Sequence, residues 1–591
     1  MHQFHIPVLG LAFSIDSPLK VAHYGISSVI SLSSDSLIED MRRLYSEKNE
    51  LSFEPISTKE DDYRAKRITA YLNMLELLVS KKLEEIRQQS LDDKSELTQY
   101  LELLPSTSLL HKWYLDYIKS DDQAVCNVLE HLIRSSIASG AIDVNIMTKV
   151  NKVNYDKDKS SLPVQYNDAL SALRGFAEST LNSSVVFSAG FNPRLYSYLE
   201  DFPCFYPDKS GALKKKVILK VSDYRSAVVQ GKFLAKKGIW ISEFRIESGL
   251  NCGGHAFATE GLLMGPILGE FNQNIEQLSN ELFDLCKRNW ESKDITYADR
   301  LPEIKIAVQG GIGTADEQRF LIKHYNVQST GWGTPFLFVP EATTVDNITL
   351  EKLIAAKSKD LYLSKTSPLG VPFNNIRNSE SERVLKERIE KDRPGSPCLK
   401  KYLVSNTEFT SEPICTASRQ YQDLKIKELK SKNLEGEEYK EAYKNIVVKA
   451  CLCEDLSAPA YSNNGIKPKV KPSTAICPGP NAAFFSRRFT LKEMVNHIYG
   501  KGERLCDSNR SHMFINELRM YIEYLEGEWA KLKNTITARQ EKYLQSFGQN
   551  LQSGIHYYEK LSDEIALPTF KEDLEQLKAK LKWVSHDKAL M

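Results

Sequence analysis

Two hydrophobic rhythms alternate along the chain as far as Ala342. One is the short continuous apolar run of a strand buried on both faces; the other is the three-to-four-residue spacing of an amphipathic helix. Phe4 to Leu11 is the first strand-like run. Ser14 to Ser17 then supplies cap residues for a short helix over Pro18 to Tyr24, stopped by Gly25. Ser28 to Leu32 reads as a second strand, and strand patterns return at Ile142 to Val150, Ser184 to Ser188, Lys216 to Val221, Ile239 to Ile246, Ile304 to Gln309 and Val327 to Trp332. Asp223 to Lys236 and Ala315 to Tyr325 read as intervening helices. Eight βα units of this kind close into a (β/α)8 barrel, whereas a doubly wound open sheet needs a reversal of strand order.

The barrel, residues 1–342, is interrupted by a helical insertion over 52–140. Ser57 to Glu60 matches the capping pattern S-x-x-E, and Ile68, Tyr71, Leu72, Leu75, Leu78, Val79, Leu83 and Ile86 follow helical spacing. Helical patterns continue over Leu101 to Tyr117 and Ala124 to Ser139. Residues 343–505 form an extension rich in Pro, Ser, Asn, Lys and Cys, in which the charged stretch Leu424 to Tyr443 reads as an exposed helix. Residues 506–591 are helical again. Phe514, Leu518, Tyr521, Ile522, Leu525, Trp529 and Leu532 make one apolar stripe, expected to pack on the barrel or on a second subunit.

Composition narrows the function classes. The chain has 591 residues, 41% hydrophobic and 26% charged, ample for a sizeable core. Its 78 Lys+Arg against 77 Asp+Glu leave a net charge of +1, without the basic footprint of a nucleic-acid or anionic-membrane binder. No apolar run approaches the roughly 18 residues of a membrane-spanning helix, and the N-terminus lacks a signal-peptide pattern. A cytoplasmic location is therefore expected. The ten cysteines are then thiols or metal ligands rather than disulfides.

Three glycine motifs follow predicted strands, where this architecture places its active site. They are Asn251-Cys252-Gly253-Gly254-His255, Gln309-Gly310-Gly311-Ile312-Gly313 and Gly331-Trp332-Gly333-Thr334. Glycine lets backbone amides approach a phosphate closely, and the last two loops, after the seventh and eighth strands, stand where barrels bind phosphate.

These motifs also carry a resemblance. The chain resembles the nitronate monooxygenase (2-nitropropane dioxygenase) family of FMN-dependent barrels, a group similar to the flavin enoyl reductases of fatty acid and polyunsaturated fatty acid synthesis. Ile6-Pro7-Val8-Leu9-Gly10-Leu11-Ala12 resembles the family's opening strand and turn, and Asp143-Val144-Asn145 its G-V-N. Asn251 to His255 resembles E-A-G-G-H, Gln309 to Ile312 resembles A-G-G-I, and Trp332-Gly333-Thr334 resembles M-G-T. Thr366 to Pro372 resembles the T-S-P-V-G-x-P of longer members, and Ser396 to Lys400, Pro413 to Cys415 and Ile476 to Ala482 resemble their cysteine-bearing tail. Asn251, Cys252, Gln309 and Trp332 depart from the family residues at their positions.

The resemblance implies an FMN-dependent oxidoreductase acting on a small-molecule substrate, with NAD(P)H as a further partner if it is a reductase. It implies phosphate binding by Gly310, Gly311, Gly333 and Thr334, Asn145 near the flavin ring, and Gly253 and Gly254 in the cofactor loop. His255 matches the family histidine and has a pKa range suited to proton transfer near neutrality. Lys220, ending the fifth strand, is placed either to balance flavin or substrate charge or to be solvated. Nitronate oxidation is the first expectation and enoyl-thioester reduction the alternative. A flavin-binding assembly subunit without turnover is the rival from another class, with the helical additions contacting a partner protein or a second copy. Cys398, Cys415, Cys451, Cys453 and Cys477 crowd the extension. They read either as ligands of zinc or an iron–sulfur cluster or as buried thiols; their spacing is irregular, and Tyr402 stands where the family tail leads one to expect a further cysteine.

Overall fold

The computed structural model describes residues 2–92, 94–188, 190–298, 302–468, 472–532, 536–565 and 567–586. Eight parallel strands close into a barrel: β1 Phe4–Ile6, β2 Ser27–Ser31, β3 Ile142–Met147, β4 Ser184–Ser188, β5 Lys216–Val221, β6 Ile241–Glu247, β7 Lys305–Gln309 and β8 Ser329–Gly331. Closure is made by β1 on β8, with Phe4 opposite Thr330 and His5 opposite Gly331. Every strand expected from the apolar runs is present. β1 is shorter than its run because Pro7 has no N–H to continue the ladder.

Strand alternation decides which side chains enter the barrel. Along β6, Phe244 and Ile246 join the surrounding helical layer, while Glu243, Arg245 and Glu247 alternate with them. Low in the barrel, Arg245 pairs with Glu243 at 2.7 Å and approaches Asp143 at 4.0 Å. Val29, Val186 and Ile218 form a small separate apolar cluster with Val8 packed against it. The barrel interior is thus partly ionic rather than wholly branched-aliphatic.

The insertion is helical, at Tyr63–Arg87, Glu96–Leu103, Leu109–Lys119 and Gln123–Ser136. The expected S-x-x-E box does not start the first of these. Glu60 accepts the Ser57 amide at 2.8 Å, but the helix begins beyond Asp62, whose φ of 52° breaks the run. This helix docks on the barrel through the Asp168–Glu178 helix, where a Cβ on Gly175 would stand 2.7 Å from the Ala65 carbonyl. Arg64 and Arg67 bind Asp35 at 2.7 and 2.9 Å.

The charged stretch of the extension is two helices, Arg419–Ser431 and Gly436–Val447, rather than one. Asn433 and Gly436, both with positive φ, bend the chain between them. A hairpin that the apolar pattern did not announce, β9 Leu361–Ser364 with β10 Phe373–Ile376, brackets the Thr366 to Pro372 motif. The C-terminal stripe lies on the Met513–Leu532 helix, where Phe514, Leu518, Tyr521, Ile522 and Leu525 are buried and Trp529 partly so. The Leu532 side chain lies outside the described residues. Two further helices, Ala538–Leu561 and Phe570–His586, complete this region. Tyr558 of the former accepts the Gly265 amide at 3.1 Å, so the terminal helices pack on the Met264–Ser292 helix between β6 and β7. Among the described residues no helix is long and apolar enough to cross a membrane.

Candidate active site

A cavity of about 440 Å³ lies at the C-terminal ends of the strands, within the size range of small-molecule sites. Its floor is set by alternation: Asn145, Lys220, Glu247 and Gln309 occupy inward positions of β3, β5, β6 and β7. Lys220 is neither solvated nor a free charge, because its Nζ pairs with Glu247 at 2.7 Å and Gln309 Nε2 donates to the same carboxylate at 2.5 Å. Asn145 is buried, and its Oδ1 has no protein partner.

The three glycine loops converge on this cavity. A Cβ on Gly311 would fall 2.0 Å from Asn251 Nδ2, and the φ of +77° is itself unfavourable for other residues. The loops after β6 and β7 are therefore interlocked through Asn251, whose side chain continues to the Met513 carbonyl at 3.2 Å. Gly333 rests against Pro7 and Leu9. Thr334 borders the cavity; its hydroxyl accepts the Gly479 amide at 3.1 Å, which leaves its O–H and its backbone amide to donate to a ligand. Trp332 does not fill the site: it turns outward and donates to Gln318 at 2.8 Å. Among the described residues the amides of Gly311, Ile312, Gly333 and Thr334 have no acceptor.

His255 Nε2 lies 2.7 Å from Ser367 Oγ, and the ring packs edge-on against Phe373 with centroids 4.9 Å apart. Burial, reinforced by the charges of Lys220 and Lys149, lowers its pKa to about 4. At neutral pH the imidazole is therefore uncharged. Nδ1 is the ring nitrogen without a protein partner among the described residues.

The extension roofs the cavity. Tyr402, Leu403, Leu452, Leu456 and Ile476 line it, as do Cys453 and Cys477. The Cys477 carbonyl accepts the Gly254 amide at 3.1 Å and would meet a Cβ on Gly253 at 2.7 Å. Glu247, Ser367 and Lys149 were not singled out by sequence reasoning. Glu247 was legible as the next inward position after Glu243 and Arg245, and Ser367 lies within the Thr366 to Pro372 motif; Lys149 had no such signal.

The cysteines depart from the metal expectation. Among the described residues no group of three or more His, Cys, Asp or Glu side chains is arranged to hold a metal ion. Tyr402 packs against Val150, Cys451 and Cys453 and sends its hydroxyl to Asp35 at 3.1 Å. Cys398 borders a small hollow shared with Cys451 and hydrogen-bonds Cys415, while Cys477 belongs to the Gly253–Gly254 contact. Burial pushes the Cys453 and Cys477 thiols up to about 12 and raises that of Cys451 well above its ordinary value, so these three are protonated thiols.

No family model matches the chain, and no curated protein matches it. Among solved structures, it is similar to FabK from Thermotoga maritima, with a TM-score of 0.36 and 12% identity over 88% of this chain and 95% of that one. The enoyl reductase domain of MlnA from the macrolactin cluster of Bacillus amyloliquefaciens gives a TM-score of 0.33 and 14% identity over 72% and 86%. Nitroalkane oxidase from Streptomyces ansochromogenes gives 0.35 and 10% over 84% and 96%. Likenesses this distant assign no reaction. By its own strand pairing, the chain is a (β/α)8-barrel protein with an extension roofing the cavity at the C-terminal mouth.

Proposed function

We propose that this protein is an FMN-dependent oxidoreductase for a small-molecule substrate, with nitronate oxidation as its reaction and His255 as its proton acceptor. One observation carries the reading: two glycine loops with unpaired amides open into the same cavity as an uncharged histidine and the unpartnered Asn145 Oδ1.

The residues present fit the cofactor. Unpaired amides at Gly311, Ile312, Gly333 and Thr334 suit a phosphate, and Asn145 Oδ1 suits an N–H of a heteroaromatic ring. FMN, when bound, supplies the electron-transfer chemistry that no side chain here offers. The chain's own contributions are positioning and proton handling. Ser367 and Phe373 fix the His255 ring from two sides. Being neutral, Nδ1 can accept the α-proton of a nitroalkane and so form the nitronate that is then oxidised, and Lys149 and the Lys220–Glu247 pair stand close enough to influence the charge that develops. The roof lays the apolar side chains of Leu403, Leu452, Leu456 and Ile476 along the cavity and so narrows the access of water.

The test is an absorbance spectrum of the protein reconstituted with FMN, followed by turnover. Oxygen uptake with an alkyl nitronate and no nicotinamide is the expected result. Bleaching of the flavin by NAD(P)H with turnover of an enoyl thioester would replace nitronate oxidation by enoyl reduction, and a protein that takes up no flavin would overturn the reading altogether.

A further inference from the structure

The loop after β7 is gripped from behind by side chains of the extension and the C-terminal region. Its three consecutive carbonyls are all taken. Arg510 Nη2 donates to the Gly311 carbonyl, Asn481 Nδ2 to Ile312 at 2.8 Å, and His497 Nε2 to Gly313 at 2.9 Å. The Leu505 amide donates to His497 Nδ1 at 3.1 Å, which leaves the imidazole proton on Nε2, where the loop needs it. Glu317 holds the far end, accepting the amides of Gly313 at 2.8 Å and Thr314 at 3.2 Å.

Arg510 joins these elements. Its guanidinium reaches Glu317 at 2.7 Å and Asn481 Oδ1 at 2.8 Å as well as the Gly311 carbonyl, and the Arg510–Glu317 pair is almost wholly buried. Burial alone would raise the Glu317 pKa, but Arg510 outweighs it and keeps the carboxylate ionised. In a trans peptide the C=O and the following N–H point in opposite directions. A Gly311 carbonyl drawn towards Arg510 therefore turns the Ile312 amide the other way, and Ile312 borders the cavity.

We propose that Arg510, with Asn481 and His497, is a positioning residue that holds the β7 loop with its amides presented to the phosphate of the flavin nucleotide. The inference rests on the flavin reading and adds to it that phosphate recognition depends on residues far beyond the barrel. None of the three need touch the phosphate for this. A structural prop would affect every ligand of the cavity alike, whereas a device that aims amides at an oxyanion affects only ligands that carry one.

The full-length apoprotein is titrated with FMN and with riboflavin, which differ by the phosphate, in the wild type, Arg510→Lys and Asn481→Leu. Lysine keeps the charge opposite Glu317, which guards folding, but a single ammonium cannot span three acceptors as the guanidinium fork does. Asn481→Leu removes the Ile312 contact and one partner of Arg510 while leaving both members of the Arg510–Glu317 pair in place, and thermal melting confirms that each variant is folded. The expected result is that the preference for FMN over riboflavin falls about tenfold or more in both variants while riboflavin affinity stays within about twofold. An unchanged preference, or equal weakening of both flavins, overturns the positioning role. A wild type that binds neither flavin overturns the flavin reading itself, an outcome separate from either.

Discussion

The Glu517 carboxyl, carried by a C-terminal helix, accepts the Ser248 hydroxyl at 2.5 Å at the end of β6, and its second oxygen accepts the Met264 amide at 2.8 Å. Burial raises its pKa to about 7. The folded state thus binds this proton more tightly than the unfolded chain, so the stabilisation is complete at pH values below the usual carboxylate range and is lost as pH rises through about 7. The whole effect is roughly 3 kcal/mol. Glu517→Gln cannot ionise, so its melting temperature relative to wild type should climb between pH 5 and 8; parallel melting curves across that range would count against the buried proton.

His255→Ala should leave FMN binding intact and lower turnover of a nitroalkane by about 10² to 10⁴, while sparing the preformed nitronate, which has no acidic α-proton to lose. With a free-enzyme pKa of about 4, the base is already deprotonated at pH 6, so kcat/KM should be flat in its histidine limb from there to 8 and should fall only on acidification towards 4. A limb near 6.5 would show the ring to be solvated rather than buried.

Gly311 and Gly254 share a positive φ but differ in surroundings. At Gly311 a Cβ meets Asn251 at 2.0 Å, whereas at Gly254 nothing lies within 4 Å. Gly254→Ala should cost only backbone strain, on the order of 1–2 kcal/mol, while Gly311→Ala should cost more and abolish flavin uptake. Denaturant unfolding with flavin titration of both variants checks the contrast.

Cys398 should be the most readily alkylated thiol of the extension. Its hydrogen bond with Cys415 lowers its pKa to about 7, whereas Cys453 and Cys477 are pushed to about 12. Its rate of reaction with iodoacetamide, followed by mass spectrometry, should rise with a midpoint near pH 7, because the thiolate is the nucleophile. Cys415→Ala should shift that midpoint upward.

The eight strands were legible because each is a short apolar run whose flanking residues carry turn or cap chemistry, and the glycine loops were legible because their motifs follow those runs. His255, Asn145 and the phosphate-loop glycines do meet in one cavity. What escaped was everything that depends on distant pairing. Arg510 sits in the polar run Cys506 to His512, which has no periodicity, and its partners Asn481 and Glu317 are 29 and 193 residues away. From the sequence, Lys220 reads equally as a charge partner and as a solvated residue; its pairing with Glu247 depends on the packing of β5 beside β6 and is seen only in the folded barrel. The cysteines share a stretch of sequence, and Cys398 and Cys415 hydrogen-bond each other, but among the described residues no three of them are arranged to hold a metal ion.

The barrel closes when β8 pairs with β1, yet the cavity takes its roof from residues 402–477 and the β7 loop takes its grip from residues 481–510. In a growing chain these parts arrive after the barrel strands. The barrel can be complete while the ribosome still holds the segments that finish its mouth, since synthesis proceeds at about 5–20 residues per second. A barrel that closed as soon as β8 emerged would wait several seconds with an open, unaimed phosphate loop, and affinity for the proposed nucleotide would then arise as a late event of biosynthesis rather than with the fold.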